Sequence, residues 1–427
     1  MATQLLAAAP PSTTSADANG ATITAAAAAA TTTCISSTST ATTIFSLTED
    51  DLREIFLRLP DLRALIRAAL TCRPWLQAIR SSRPFRRLFR ALHPAPLLGL
   101  FLEIGNSSAP SFLPLRRSDP VVAAALRRGD FFLTSLPPLS TGWGFADCRD
   151  GYVLLWNMIP KRPSLVALNP VTWAVDVLPR LPGQIATGSR RDFAVLGFHL
   201  LCSDESPWSF RVACVCADQR RARVAVFSSE TWEWAVRPWV HVGGNCSLKY
   251  RAGTLVGGSI FWPYQGEARM IRIDTATMDI SFLDLPPQVE VAGFNFAVGD
   301  TKNGELCIVY ESAFFLLTWI RRSVDGTEVW APLTVLSLGE ELDRHTLASV
   351  LDVQLDLKIV QVRSGLVHLS STCMTHAGTL HCWFFSLPLE TMELELLLEG
   401  SFEGDVHLYN MAWPPSLVGD DESIGHA

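Results

Sequence analysis

LVALNPVTWAVDVLP occupies residues 165–179. It reads as an apolar strand, a polar turn, then a threonine and a bulky residue opening a second strand. The unit returns as VAVFSSETWEWAV at 224–236, MIRIDTATMDISFLDLP at 270–286 and FFSLPLETMELELLLE at 384–399. A degenerate copy, TWIRRSVDGTEVWAPL, lies at 318–333. The aligned threonines are Thr172, Thr231, Thr277, Thr327 and Thr391, at spacings of 59, 46, 50 and 64 residues. A first strand usually precedes each copy: DGYVLLW at 150–156, SFRVACVC at 209–216, GSIFWPY at 258–264, GELCIVYE at 304–311 and GLVHLSS at 365–371. A period near fifty residues with about four strands per unit is the mark of a β-propeller, whose blades bury their faces against one another. Five blades are read directly. Residues 97–135 are expected to supply another, closed by the final strand near DVHLYNMAW, which makes about six. The alternative on strand spacing alone is a β-sandwich.

The flanks differ in texture. In residues 1–43, Ala, Thr and Ser contribute 14, 12 and 5 positions. Such a segment buries too little apolar surface to offset its ordering entropy, so 1–43 is expected to be disordered. The tail, 416–427, reads the same way. No Lys or Arg precedes Arg53, which argues against a secretory signal. The Ala/Ser/Thr richness keeps a transit-peptide reading open. The net charge of −7 gives no general attraction to nucleic acid, and no apolar run is long enough to span a membrane. Ten scattered cysteines suggest reduced thiols, hence cytosol or nucleus.

Between the N-terminal flank and the repeats lies LTEDDLREIFLRLPDLRALIRAALTCRPWLQAIR, residues 47–80. Thr48 is placed to cap a helix, with Asp51 reaching back. Leu52, Ile55, Phe56 and Leu59 follow at helical spacing, and Pro60 stops the run. Asp61 caps a second helix carrying Leu65 and Ile66. Pro74 suits the first turn of a third, with Trp75, Leu76 and Ile79 behind it. Phe85, Leu88, Phe89 and Leu92 mark a fourth. Residues 44–93 are therefore expected to form a three-to-four-helix domain ahead of an all-β domain at 97–415. A module this small rarely stabilises itself alone, and its apolar residues exceed what three short helices bury mutually.

This stretch resembles an F-box. The resemblance rests on Leu47, Leu52, Ile55, Leu59-Pro60, Leu65, Leu70, Cys72 and Trp75, over about forty residues. The chain departs from the pattern at Thr48, where Pro is common, and at Pro74, where a basic residue usually precedes the Trp. Downstream, DCRDGYVLLW and DTATMDISFLDLP look like the F-box-associated propeller regions common in grass proteins. The resemblance implies a non-catalytic subunit of a cullin–RING ubiquitin ligase: the helices dock on a Skp-type adaptor and the propeller holds a protein substrate. It also implies an adaptor-binding role for the residues just named together with Phe56. The competing class is a propeller enzyme or small-ligand binder whose helices are a packing appendage.

Other signals are weaker. The helical stretch 47–93 carries ten arginines against five acids, but without a recognition-helix pattern; a solvated face is the simpler reading. His368, Cys373, His376, His381 and Cys382 have zinc-ligand chemistry but the wrong spacing, so no metal is expected. Cys214 and Cys216 read as core thiols. No catalytic signature and no cofactor motif is present. Trp173 and Trp232 are expected to pack within blades. Trp143, Trp208 and Trp239 lie in turn-rich connections and are the candidate substrate contacts. Only four lysines, Lys161, Lys249, Lys302 and Lys358, stand against 31 arginines; this composition would limit self-ubiquitination, and a codon bias toward Arg and Ala explains it equally well.

Overall fold

Thr48 caps the first helix as its sequence dictates. In the computed structural model its side chain accepts from the Asp51 N–H, and the Asp51 carboxylate accepts from the Thr48 N–H at 2.9 Å. The structure describes residues 47–419 except 104–107, 116–119, 138–141, 158–163, 190–192, 204–205, 219, 243–252, 264–268, 287–288, 290–294, 347–354, 375–377, 379 and 402–403. The expected disorder of 1–43 and most of the 416–427 tail lie outside the described residues.

Four helices come first: α1 (Glu49–Leu57), α2 (Leu62–Ala69), α3 (Arg73–Arg80) and α4 (Arg83–Leu92). Asp61 caps α2 through the Ala64 N–H at 2.8 Å, and Pro74 sits in the first turn of α3. Leu52, Phe56, Leu65, Ile79, Phe85 and Phe89 form the buried interior. The Phe56 ring meets Trp75 edge-on at 5.4 Å between centroids, a favoured quadrupolar arrangement.

Six antiparallel sheets follow. Blade 1 begins with β1 (Leu97–Glu103) and β2 (Ser111–Pro114). Helix α5 (Pro120–Arg128) follows it. Blade 2 is β3 (Gly144–Arg149), β4 (Tyr152–Asn157), β5 (Ser164–Asn169) and β6 (Ala174–Val177). Blade 3 is β7 (Ala194–Ser203), β8 (Ser206–Asp218), β9 (Arg221–Ser228) and β10 (Glu233–Val236), with β11 (Val240–His241) added to β9. Blade 4 is β12 (Thr254–Val256), β13 (Ser259–Pro263), β14 (Arg269–Asp274) and β15 (Ile280–Asp284). Blade 5 is β16 (Phe296–Asp300), β17 (Leu306–Ser312), β18 (Phe315–Val324) and β19 (Thr327–Ser337). It is followed by α6 (Gly339–Thr346). Blade 6 is β20 (Asp356–Arg363), β21 (Leu366–Met374), β22 (Leu380–Pro388) and β23 (Glu395–Gly400). The last strand, β24 (Asp405–Asn410), returns to blade 1 and pairs with β1, Leu97 opposite Asn410 and Glu103 opposite Asp405. This is the closure expected near DVHLYNMAW, and the fold is a six-bladed propeller rather than a sandwich.

Neighbouring blades share apolar clusters. On β8, Val212, Cys214 and Cys216 pack toward blade 2, while Ala213, Val215 and Ala217 pack toward blade 4. A strand covered on both faces needs no alternation, which is why SFRVACVC is a near-continuous apolar run. Cys214 and Cys216 are core thiols, their sulfurs 3.6 Å apart, and the described cysteines are all free.

The recurring threonine motif is a turn between the third and fourth strands. Its first residue, Asn169, Ser228 or Asp274, accepts hydrogen bonds from backbone N–H groups two or three residues on. Its last, Trp173, Trp232, Met278 or Met392, takes the left-handed conformation, with φ of 64°, 60°, 64° and 56°. Trp173 and Trp232 therefore end the turn instead of opening a strand, and they remain well exposed rather than packed within a blade. The degenerate copy is a different turn: Asp325 and Gly326, both at positive φ, form a two-residue hairpin.

Helices and sheets belong to one unit, Thr48–Ala427. Phe89 meets Trp413 edge-on at 6.0 Å, and the Arg90 guanidinium lies 5.1 Å above the Trp413 ring. Arg80 Nε donates to the Val418 carbonyl at 3.2 Å. Leu417 and Val418 are buried, so ordered packing runs three residues past the boundary drawn at 415.

Candidate interaction surface

The helical module divides its apolar residues sharply. Leu52, Phe56 and Leu65 are core. Leu47, Leu59, Cys72 and Trp75 are half-buried, and Pro60 is exposed. Ile55 is 45% exposed and Leu70, at the end of α2, is 80% exposed. Leu88 and Leu92 on α4 are exposed as well. The spacing of Leu52, Ile55, Phe56 and Leu59 suggested one face. In the helix that stripe has two edges about 100° apart: Leu52 and Phe56 turn inward, while Ile55 is left to solvent. Leu52, Phe56 and Leu65 thus hold the module together and cannot themselves be contact residues, whereas Ile55 and Leu70 can.

The module's arginines are largely engaged at home. Arg53 pairs with Glu49 and with Asp50, Arg58 with Glu54, and Arg63 with Asp61. Hydrogen bonds from the Thr48 side chain and backbone hold the Asp51 carboxyl below its usual range. For Asp61, burial acts upward, but the Ala64 N–H and Arg63 outweigh it and hold that carboxyl low too.

The three candidate tryptophans do not meet. Trp143 is only 7% exposed and donates from Nε1 to the Pro137 carbonyl at 3.0 Å. Its turn-rich neighbourhood covers it instead of presenting it, so it is a core residue. Trp239 is half-buried; its Nε1 donates to the Thr187 carbonyl at 3.0 Å, and Arg221 and Arg223 flank its ring at 5.0 and 4.6 Å. Trp208 is 73% exposed. Strand direction separates them: Trp143 and Trp239 lie where first strands begin, and Trp208 lies where β7 ends. Trp232 and Trp173, in turns at the same end as Trp208, are the exposed aromatics that the sequence reading placed inside. Trp143→Ala is expected to cost about 3–5 kcal/mol of stability, and Trp208→Ala to leave the melting temperature within a degree or two. Thermal unfolding of the two variants checks this assignment.

The first strands β3, β7, β12, β16 and β20, with β24, line an axial channel that includes Asp147, Arg149, His199, Gln361 and His407. Among the described residues, no group of three or more His, Cys, Asp or Glu side chains is placed to hold a metal ion. Of the zinc-like set, His376 lies outside the described residues. Cys373 pairs across the sheet with His381, and Cys382 with Thr372.

His368 is buried, stacked near Phe384, and burial pushes it down from 6.5 to about 4. The unfolded chain takes up a proton near pH 6.5 and the folded chain only near 4. The associated stability is therefore complete above pH 6.5 and lost as pH falls toward 4, roughly 3 kcal/mol in all. Chemical denaturation at pH 7.5 and 4.5, in a buffer without phosphate, is expected to show a smaller acid loss for His368→Gln than for the parent. Equal losses would contradict it.

The F-box domain profile matches residues 44–87. An F-box is a non-catalytic interaction module, and joined to a propeller it supports an adaptor or interaction role. No curated protein matches the chain. Among solved structures, the chain is similar to TolB from Acinetobacter baumannii at 12% identity and a TM-score of 0.37, covering 75% of this chain and 68% of that one. A protein from Lactobacillus plantarum matches at 9% identity and a TM-score of 0.41, covering 73% and 98%. The WD40 domain of SCAP from fission yeast matches at 9% identity and a TM-score of 0.28, covering 61% and 65%. Likeness at this level does not extend to function. Among the described residues, no helix is long and apolar enough to cross a membrane.

Proposed function

We propose that this chain is the substrate-recognition subunit of an SCF-type cullin–RING ubiquitin ligase, without catalytic activity of its own. The helical module docks on a Skp-type adaptor and the propeller holds a protein substrate. The supporting observation is the exposure of Ile55 and Leu70 on a module whose Leu52, Phe56 and Leu65 already pack inward among its helices and whose Phe89 packs against Trp413. A partner groove that takes up those side chains accounts for both. The ligase then needs only geometry from this subunit, raising the substrate's effective concentration near the activated ubiquitin. The site of action in this reading is the cytosol or nucleus, with neither nucleic acid nor membrane as partner. On the propeller, the exposed Trp208 and Trp232 of blade 3 are the favoured substrate contacts. The test is co-purification of the full chain with a Skp-type adaptor from cells. Absence of the adaptor under conditions where the chain stays folded rejects the reading.

A further inference from the structure

Helix α5 ends on two arginines, Arg127 and Arg128, and the chain that follows runs along the turn between β5 and β6. The Asp130 N–H donates to the Pro170 carbonyl at 2.7 Å, and Trp173 Nε1 donates to the Arg128 carbonyl at 2.6 Å. The loop beyond is pinned from inside. Asp130 is buried, and its carboxylate accepts from the backbone N–H and the hydroxyl of both Thr134 and Ser135. Phe131 and Leu133 are buried, and Leu133 takes the left-handed conformation at φ 55°. Between them Phe132 is turned outward and is 89% exposed. Val171 and Trp173, in the adjoining turn, are exposed as well. A ring held outward by an anchored loop, beside an indole whose N–H is already fixed, makes a preorganised apolar patch.

The rim of this patch is cationic. Arg127 and Arg128 are exposed, and neither guanidinium has an ion pair among the described residues. Arg58 and Arg344 find a glutamate within their own helices, but α5, PVVAAALRR, contains no acid. The helix C-terminus attracts the two cations with only about half a charge. Asp130 is covered by its four hydrogen bonds. Asp176 on β6 is paired with Ala167, whose face packs toward blade 3, whereas Leu126 of α5 packs with Val175 on the opposite face. We propose that the patch docks a short acidic segment of a partner protein that also carries a large apolar side chain. Its carboxylates meet Arg127 and Arg128, and its apolar side chain packs on Phe132 and Trp173. This rests on the proposed function for the partner being a substrate, and on the patch alone for the partner's chemistry. The substrate class is then proteins with an acidic segment built around an aromatic or large aliphatic residue, held one blade away from Trp232.

Fluorescence anisotropy of the full chain with a labelled nonapeptide, a central Phe flanked on both sides by Asp, tests the patch. The expected result is saturable binding with Kd below about 100 μM, weakening as salt rises from about 0.05 to about 0.5 M. Replacing the peptide's Phe with Ala, or its Asp with Asn, should each weaken binding at least tenfold. So should Phe132→Ala, and Arg127→Glu combined with Arg128→Glu. All three side chains are exposed, so the variants should melt like the parent, and circular dichroism checks this. No saturation up to about 1 mM, parent-like affinity in a folded variant, or equal binding of the Asn peptide overturns the proposal. So does binding to vesicles of anionic phospholipid that the same variants abolish while the peptide does not bind. Adaptor co-purification on the same samples separates the two readings: a chain that keeps the adaptor but never binds the peptide loses this patch and keeps the proposed function. A chain that binds the peptide but never the adaptor keeps the patch and loses that function.

Discussion

Replacing Ile55 and Leu70 together with Asp is expected to weaken binding to a Skp-type adaptor at least a hundredfold, with the melting temperature almost unchanged. Both side chains face solvent in the free chain, so a carboxylate there costs the fold little. Against an apolar partner groove, each carboxylate would be buried without a counter-charge, at a cost of about 2 kcal/mol or more. Leu52→Asp is the informative contrast. That side chain lies inside the module, and its loss of binding would come with loss of the helices. Affinity measured by surface plasmon resonance, with circular dichroism on the same samples, separates the two effects. Parent-like affinity in the double variant would move the docking surface away from Ile55 and Leu70.

The second large effect concerns the ring itself. Gly299→Val is expected to abolish cooperative folding, and Gly299→Ala to cost about 3 kcal/mol or more. Gly299 sits on β16, the channel-side strand of blade 5. A Cβ placed there would lie 2.3 Å from the Val362 carbonyl oxygen and 2.4 Å from its Cβ, on β20 of blade 6. These are backbone and near-backbone atoms, so relief requires the two strands to part, and overpacking of this kind is poorly accommodated. Gly183→Ala is the control, since nothing lies within 4 Å of its added methyl group. Urea denaturation of the two alanine variants should show a lowered midpoint for Gly299→Ala alone.

The sequence revealed the outer three strands of most blades and concealed the innermost. Second strands such as β4 and β8 are buried on both faces and read as apolar runs. Their first-strand neighbours front the channel, so residues such as Gly144, Asp147 and Arg149 interrupt the pattern in β3. Those strands were inferred from the period of the repeat, not from their own residues. The threonine motif was visible because a left-handed turn constrains side-chain chemistry at its first position, but the bulky residue after the threonine was misplaced into a strand. Helices α5 and α6 escaped notice because each is a short run inside a connection. At the interaction surface, spacing identified an apolar stripe on α1 but not which edge of it the other helices cover. That depends on the approach of α3 and α4, which a single helix does not encode. Trp143 shows the same limit: local turn chemistry suggested exposure, and distant chain covers it.

The pairing of β1 with β24 has a consequence for how the protein is made. The middle strand of blade 1 leaves the ribosome some three hundred residues before its inner neighbour does, and Trp413 and Val418, which brace the helices, follow later still. Until then β1 presents an open edge available to other chains. A nascent chain that stalls or ends before residue 405 would keep that edge and leave Phe89 without its tryptophan. Completion of synthesis is thus linked to the bracing of the helices: a truncated product would carry an exposed strand to mark it for chaperones, and a loosely held module with which to meet any partner.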